Sequence, residues 1–229
     1  MNTRILQALS FLYAAIAVLE IASEVTSNRT LHLCSKPFLI ILVLILFLIR
    51  THGFKGSVKL TVIAALVFSW LGDVLLMFTE DYSWTFLGGL GAFLIAHCFL
   101  IVAYRIGSNK HFQLSFFYFV PVFGYGIVLY SVLAPYLGTM LIPVAVYSVV
   151  LLSMLIAALE RGVRVSVLSF RWVLTGAVCF VMSDSILAWQ SFVQPSVFAR
   201  VALMVLYIAA QYAIAQGMAL HITEQSSKQ

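Results

Sequence analysis

Two aspartates, Asp73 and Asp184, interrupt apolar stretches that are each long enough to cross a membrane. An ionisable side chain at membrane depth costs about 2.5–3.5 kcal/mol on insertion scales, so such residues usually face a cavity or a partner. Two carboxyl groups in one apolar cavity share a proton and so provide one acid and one base. The pair therefore predicts a reaction that begins with proton donation, as the opening of vinyl ethers, glycosides and epoxides does.

The composition indicates that these stretches are membrane helices. Hydrophobic residues make up 63% of the 229 residues and charged residues only 9%, whereas a soluble domain is about 25% charged. We expect an all-α, polytopic membrane protein with one integral membrane domain over residues 1–229. Eight spans fit the thickness of a bilayer, at residues 5–23, 32–49, 58–79, 84–106, 114–134, 138–159, 168–191 and 196–222.

The basic residues predict the orientation of these spans. All but three of the 13 Lys and Arg residues fall on the side of the N-terminus, the exceptions being Arg29, Lys36 and Arg200. By the positive-inside rule both termini face the cytoplasm, and a bacterial protein of this kind would lie in the inner membrane. The first span could pass for a signal peptide, but its length and Glu20 favour an uncleaved helix. The net charge of +5 is explained by membrane-flanking loops, and no nucleic-acid partner is expected.

The two aspartates lie past the middle of helices that run outward, each roughly 7 Å to the outer side of the midplane. Two carboxylates at one depth on different helices can converge on one site. Further polar side chains suit the same site as groups that bind substrate or orient the carboxylates, namely Lys36, His97, Tyr147, Arg200, Tyr207 and Gln211. Each also has a structural interpretation, as an ion pair between helices, a snorkelling cation or a packing residue.

Metal and cofactor motifs are not evident. The three cysteines are scattered without a CxxC pair, and no metal-ligand spacing is apparent. We therefore expect no metal and no cofactor.

A faint internal repeat relates the two halves of the chain. Gly72 and Asp73 in the third span correspond to Ser183 and Asp184 in the seventh, and His97 in the fourth corresponds to Gln211 in the eighth. The recurrence four helices later, in the same orientation, predicts a possible parallel four-plus-four repeat.

These motifs together resemble the YhhN-like family, whose characterised members are lysoplasmalogenases. The matching pieces occur in family order over nearly the whole chain: Lys36 with Pro37, Gly72 and Asp73 followed by VLL, FLIAH ending at His97, Gly176 and Phe180 leading to Ser183 and Asp184, and YIAAQ from Tyr207 to Gln211. Leu100 departs from the pattern, because family members often carry tyrosine three residues after the histidine.

The resemblance implies an eight-helix enzyme without a cofactor that hydrolyses the vinyl ether bond of lysoplasmalogens, which are lysophospholipids. The products would be a fatty aldehyde and glycerophosphoethanolamine or glycerophosphocholine. Of Asp73 and Asp184, one would donate the proton and the other would stabilise the oxocarbenium ion and orient water. Lys36 and Arg200 would bind the phosphate, while His97, Tyr207 and Gln211 would orient the carboxylates or the glycerol hydroxyl. Head-group preference and oligomeric state stay open.

Three other functions are compatible with parts of the sequence. A proton- or cation-coupled transporter would use the intramembrane aspartates as relays. An intramembrane aspartyl protease is disfavoured, because WLGD at Asp73 supplies only half of a GxGD motif. A serine hydrolase is disfavoured further, because no GxSxG motif occurs.

Overall fold

The computed structural model describes residues 3–106, 116–163 and 165–226, which form a bundle of eight α-helices without a β-strand. The helices are α1 (Thr3–Thr26), α2 (Arg29–Arg50), α3 (Ser57–Leu76), α4 (Trp84–Arg105), α5 (Phe116–Leu137), α6 (Leu141–Glu160), α7 (Val167–Phe192) and α8 (Val197–Ser226). The prediction of eight helices is confirmed, with helix ends that agree within about one turn. The expected start of the fifth span, at 114, lies outside the described residues.

The described helices have the length and surface of membrane spans. Seven segments are long and apolar enough to cross a bilayer, and one of them, Phe117–Glu160, contains both α5 and α6. Large apolar side chains point outward, such as Phe11 and Phe198, which are 79% and 83% exposed. Such a surface is stable against lipid but not against water. The protein is therefore an integral, multi-pass membrane protein.

Two helix ends differ from the predicted spans in ways that affect the site. The Asn28 side chain caps α2 by accepting a hydrogen bond from the Leu31 amide, so the helix begins at Arg29. The start of the predicted span at residue 32 places Lys36 near the beginning of the helix, whereas in the structure Lys36 lies about two turns inside it. Helix α3 ends at Leu76, which places Asp73 in its last turn.

Glycines allow close packing of the helices that carry the two aspartates. A Cβ atom on Gly72 in α3 would lie 2.6 Å from the Phe93 ring of α4. A Cβ atom on Gly176 in α7 would lie 2.9 Å from the Ala210 carbonyl oxygen of α8. Small residues at such contacts let membrane helices approach closely. The α3–α4 and α7–α8 pairs thus hold both aspartates on tightly packed helices.

Helix α1 is packed into the bundle by polar as well as apolar contacts. The Tyr13 hydroxyl donates a hydrogen bond of 2.8 Å to the Ile208 carbonyl oxygen of α8. Glu20, near the outer end of α1, is completely buried. These contacts agree with the prediction that the first apolar stretch is a helix of the bundle.

Candidate active site

Asp73 is buried, and a tyrosine from α8 holds its carboxylate. The Asp73 side chain is 2% exposed, and its Oδ2 accepts a hydrogen bond of 2.7 Å from the Tyr207 hydroxyl. Gln211, one turn further along the same face of α8, donates to the Tyr207 oxygen at 3.1 Å. These side chains form a series of two hydrogen bonds, in which the Gln211 amide donates to the Tyr207 hydroxyl and this hydroxyl donates to the Asp73 carboxylate.

Asp184 on α7 is held by a similar chain from α4 and α6. The Tyr147 hydroxyl donates a short hydrogen bond to Asp184 Oδ2, and His97 Nε2 lies 3.1 Å from the Tyr147 oxygen. The Tyr147 proton is directed at Asp184, so towards His97 the Tyr147 oxygen can only accept a hydrogen bond. This requires the His97 tautomer that carries its proton on Nε2. His97 Nε2 also lies 3.7 Å from Asp184 Oδ2, so the imidazole is within reach of both partners.

Aromatic rings fill the space between the two chains. The Phe180 ring is 4.7 Å from His97 and 5.6 Å from Tyr207, measured between centroids. The Phe93 ring is 5.9 Å from Tyr207. An electrostatic interaction also connects Asp184 with the Tyr207 phenol. The two aspartates therefore belong to one buried cluster, in which the apolar rings strengthen polar interactions by excluding water.

The contacts of the two aspartates cross between the halves of the chain. Asp73, from the first half, is held through α8 of the second half, whereas Asp184, from the second half, lies beside His97 of the first half. His97 and Gln211, which correspond in the faint repeat, each support the tyrosine that binds an aspartate. The four-plus-four repeat stays a prediction, and this exchange of contacts favours it.

A polar cavity opens between the C-terminal ends of α1, α3 and α7 and the N-terminal ends of α2, α4 and α8. It is here called the outer vestibule after the side of the membrane that the basic residues predict for it. Its volume is about 430 Å³, and its walls include the basic side chains of Arg29, His32, Lys36 and Arg200. The structure thus brings the predicted Lys36 and Arg200 to one cavity. Glu24 and Glu80 also line it, and Arg200 is tied in place by Glu24 at 3.3 Å and by Ser27 at 2.8 Å.

A second, apolar cavity lies between α5, α6 and α7 and has Asp184 and Tyr147 in its wall. Its volume of about 60 Å³ is small, and leucine, valine and aromatic side chains dominate the lining. Phe86 and Leu187 line both this cavity and the outer vestibule. The two cavities are therefore neighbours that share a partition of two side chains.

The two aspartates face these cavities differently. Asp184 is 9% exposed and lines the apolar cavity. Asp73 is not among the described residues that line either cavity, but Leu76 and Met77, one turn beyond it, line the outer vestibule. Asp73 thus lies about one turn beneath the vestibule floor. Of the two aspartates, Asp184 borders a described cavity and Asp73 does not.

The structure adds residues that the sequence interpretation missed. Glu24 and His32 lie with Glu20 at the vestibule edge, where their ligand atoms come within 4.8 Å of one another. This grouping is not recognised from the sequence spacing alone, and the expectation of no metal stays a prediction. Two features of the chain could have revealed this cluster. Glu20 and Glu24 are four residues apart and so lie on one face of α1, and the tight turn at Ser27 brings the start of α2, with His32, back beside them.

Comparison with known proteins gives the family. The human "Lysoplasmalogenase TMEM86B" is 33% identical over 150 residues, which cover 66% of this chain and 59% of that protein. The pig protein of the same name is 32% identical over 174 residues, 76% of this chain and 70% of that protein. The "Lysoplasmalogenase" of Mycobacterium tuberculosis is 32% identical over 168 residues, 71% of this chain and 61% of that protein.

The match thus spans only about three fifths of the human and mycobacterial relatives. No solved structure matches the chain significantly. The model of the YhhN family matches residues 31–218, which include Lys36, both aspartates and every residue of the two hydrogen-bonded chains. The chain belongs to the YhhN family.

Proposed function

We propose that the protein is a lysoplasmalogenase, which hydrolyses the vinyl ether bond of 1-alkenyl-glycerophosphoethanolamine or -choline. The observation that carries the proposal is the position of Asp184. Its carboxylate borders an apolar cavity that shares Phe86 and Leu187 with a vestibule rich in basic groups. A lysophospholipid needs such an arrangement, with an acid near the junction between head group and chain. The relatives named lysoplasmalogenase support the same activity.

The substrate would lie across the partition between the two cavities. The volume of the outer vestibule, about 430 Å³, suits a glycerophosphate head group. Arg29, Lys36 and Arg200 would neutralise the phosphate. The alkenyl chain would enter the apolar cavity, which at about 60 Å³ must widen by side-chain movement to admit it. This placement puts the vinyl ether beside Phe86 and Leu187, about one turn along α7 from Asp184.

The first chemical step transfers a proton from Asp184 to carbon. In an enol ether the β-carbon, on the chain side of the oxygen, accepts the proton, and the π electrons form the new C–H bond. Asp184 is the carboxyl group on the chain side, so we assign it as the donor. The oxocarbenium ion left at the α-carbon resembles that of glycoside cleavage. The Tyr147 hydroxyl and His97 then stabilise the carboxylate that remains.

The second step adds water to the α-carbon, which lies towards the head group. We assign Asp73 and Tyr207 to this step, because they lie beneath the vestibule from which water would enter. A carboxylate stabilises the cation and accepts a proton from water, and the resulting hemiacetal breaks its bond to the glycerol oxygen. Asp73 gives its proton to the glycerol oxygen as the C–O bond breaks, the hemiacetal hydroxyl gives its proton to Asp184, and the aldehyde leaves with the chain. Atoms and charge balance with one water consumed.

Aldehyde release from a defined lipid tests this activity directly. Purified protein in detergent is expected to convert 1-alkenyl lysophosphatidylethanolamine to a fatty aldehyde, measured by a coupled dehydrogenase or by mass spectrometry. The matched 1-alkyl lipid lacks the double bond, cannot be protonated at carbon and should stay intact. A proton- or cation-coupled transporter, the alternative function, would release no aldehyde in detergent. Absence of aldehyde from folded protein would overturn the proposal.

The outer vestibule predicts a binding defect for Arg200→Gln. Loss of one charge-assisted contact to phosphate should raise KM for the alkenyl lipid about tenfold and change kcat little, because the reacting carbon is not touched. Steady-state kinetics with the aldehyde assay measure both constants. Arg171→Gln is the matched control, since Arg171 is exposed at the start of α7, far from the vestibule. A fall in kcat at unchanged KM would contradict the assigned role.

A further inference from the structure

Three potential metal ligands lie close together at the turn between α1 and α2. Glu20 and Glu24 lie one turn apart on α1, and His32 lies in the first turn of α2. One ligand atom from each comes within 4.8 Å of the others. Glu24 and His32 also line the outer vestibule, so the cluster is reachable from outside the bundle.

The separations of His32 from the two glutamates match those of a coordination shell. His32 Nδ1 lies 2.8 Å from Glu20 Oε1 and 3.3 Å from Glu24 Oε1. Ligands bound at about 2.0–2.2 Å to a tetrahedral or octahedral ion are about 2.8–3.6 Å apart. The three side chains can thus reach one ion with little rearrangement, and water can complete its coordination from the vestibule side.

Glu20 supplies an independent indication of a ligand. Its side chain is completely buried, and its Oε2 accepts a hydrogen bond of 2.5 Å from Ser35. Its Oε1 faces His32 Nδ1 at 2.8 Å and has no aligned hydrogen bond from the described residues. A buried carboxylate oxygen without a donor is costly. A cation between the three side chains would satisfy it.

We propose that Glu20, Glu24 and His32 bind one divalent transition-metal cation, with Zn²⁺ preferred over Mn²⁺. Mixed carboxylate and imidazole donors suit both ions, and Zn²⁺ is the stronger binder in the general order of affinities. The ion lies at the vestibule edge, where its charge offsets the two glutamates. Arg200, which pairs with Glu24, then has more of its charge available for an anion in the vestibule. The site does not depend on the proposed activity.

Metal binding to the purified protein tests the site. The protein is purified with an affinity tag that contains no histidine, and bound metal is removed with a chelator. Calorimetry then measures the binding of added Zn²⁺ or Mn²⁺, and elemental analysis gives the number of ions bound per chain. We expect about one Zn²⁺ per chain and a rise in Tm of several degrees at saturating ion. His32→Gln and Glu24→Gln should each weaken binding at least about tenfold, because even the loss of an outer-shell contact has that effect.

The controls separate the site from surface binding and from misfolding. Glu80→Gln removes an exposed carboxylate of the same vestibule, and His52→Gln removes an exposed histidine; neither should change the affinity. Glu20→Gln tests the buried ligand, and if it does not fold, the half-buried Glu24 and His32 still decide the question. Folded wild-type protein that binds no ion saturably would overturn the proposal. Binding that survives both His32→Gln and Glu24→Gln would also overturn it, and His32 would then act only as an imidazolium between two glutamates.

Discussion

Replacing Asp184 by asparagine should lower kcat for aldehyde release by about 10²–10⁴-fold, the usual contribution of a general acid. The amide oxygen can still accept the Tyr147 hydrogen bond, so the side chain keeps its place in the wall of the apolar cavity. What is lost is a proton that can be transferred to carbon. KM should change little, because the amide occupies nearly the same volume. Single-turnover measurements with the alkenyl lipid separate this loss from slow product release.

Asp73→Asn belongs to the same experiment, because the mechanism needs both carboxyl groups. Its kcat should fall by a comparable factor, since the second carboxylate stabilises the cation and accepts a proton from water. Asp81→Asn is the matched control: Asp81 pairs with Arg29 at the exposed outer edge and should keep near-normal kcat. Detergent size exclusion checks that each variant is folded. Near-normal turnover by folded Asp73→Asn or Asp184→Asn would refute the two-carboxylate mechanism.

The sequence predicts the number of helices well because length and hydropathy alone determine which segments can cross a bilayer. It predicts their ends less well, because the ends depend on caps and turns. Residues 29–31 lie outside the predicted second span, yet the Asn28 cap extends α2 to Arg29. Asp73 similarly lies closer to the end of α3 than the predicted span implies. Hydropathy does not identify such caps, because polar residues occur both in loops and in the first turn of a helix.

The convergence of polar groups was predictable only in part. Depth along each helix predicts that Asp73 and Asp184 can converge, and this stays a prediction. The four-residue spacing of Tyr207 and Gln211 places both on one face of α8, where they share a hydrogen bond. Tyr104 is seven residues after His97 and so lies on the same face of α4, yet its ring is beside the Arg161 guanidinium, at 5.3 Å from the ring centroid. Periodicity identifies a face of one helix, not the helix that packs against it. The partnership of Tyr147 with Asp184 therefore needed the tertiary structure.

The structure also suggests an answer to a question that the sequence left open. The two aspartates are alike in sequence context, but Asp184 borders the apolar cavity and Asp73 lies under the polar vestibule. The two carbons of a vinyl ether differ in a matching way. The β-carbon, which accepts the proton, lies towards the apolar chain, and the α-carbon, which is attacked by water, lies towards the polar glycerol. The assignment of Asp184 as proton donor follows from matching these two asymmetries.

Gly176→Leu should be the most damaging substitution outside the candidate active site. A Cβ atom there would lie 2.9 Å from both the Ala210 oxygen and the Ile214 nitrogen of α8. Both contacts are to helix backbone, which cannot rotate away as a side chain can. A leucine must therefore separate α7 from α8, and overpacking of this severity costs about 3 kcal/mol or more. Because Asp184 lies two turns further along α7, the Tyr147 contact should be lost as well.

Thermal unfolding in detergent measures this effect, with loss of the monodisperse size-exclusion peak as the readout. Gly176→Leu should lower Tm by about 6 °C or more, since roughly 2–4 °C corresponds to each kcal/mol for chains of this size. Gly91→Leu is the control, because a Cβ atom at Gly91 meets no described atom within 4 Å and its side chain would face lipid. A leucine tolerated at both positions would mean that α7 and α8 are not held by this close contact. The positions of Asp184 and Tyr207 would then need another physical explanation.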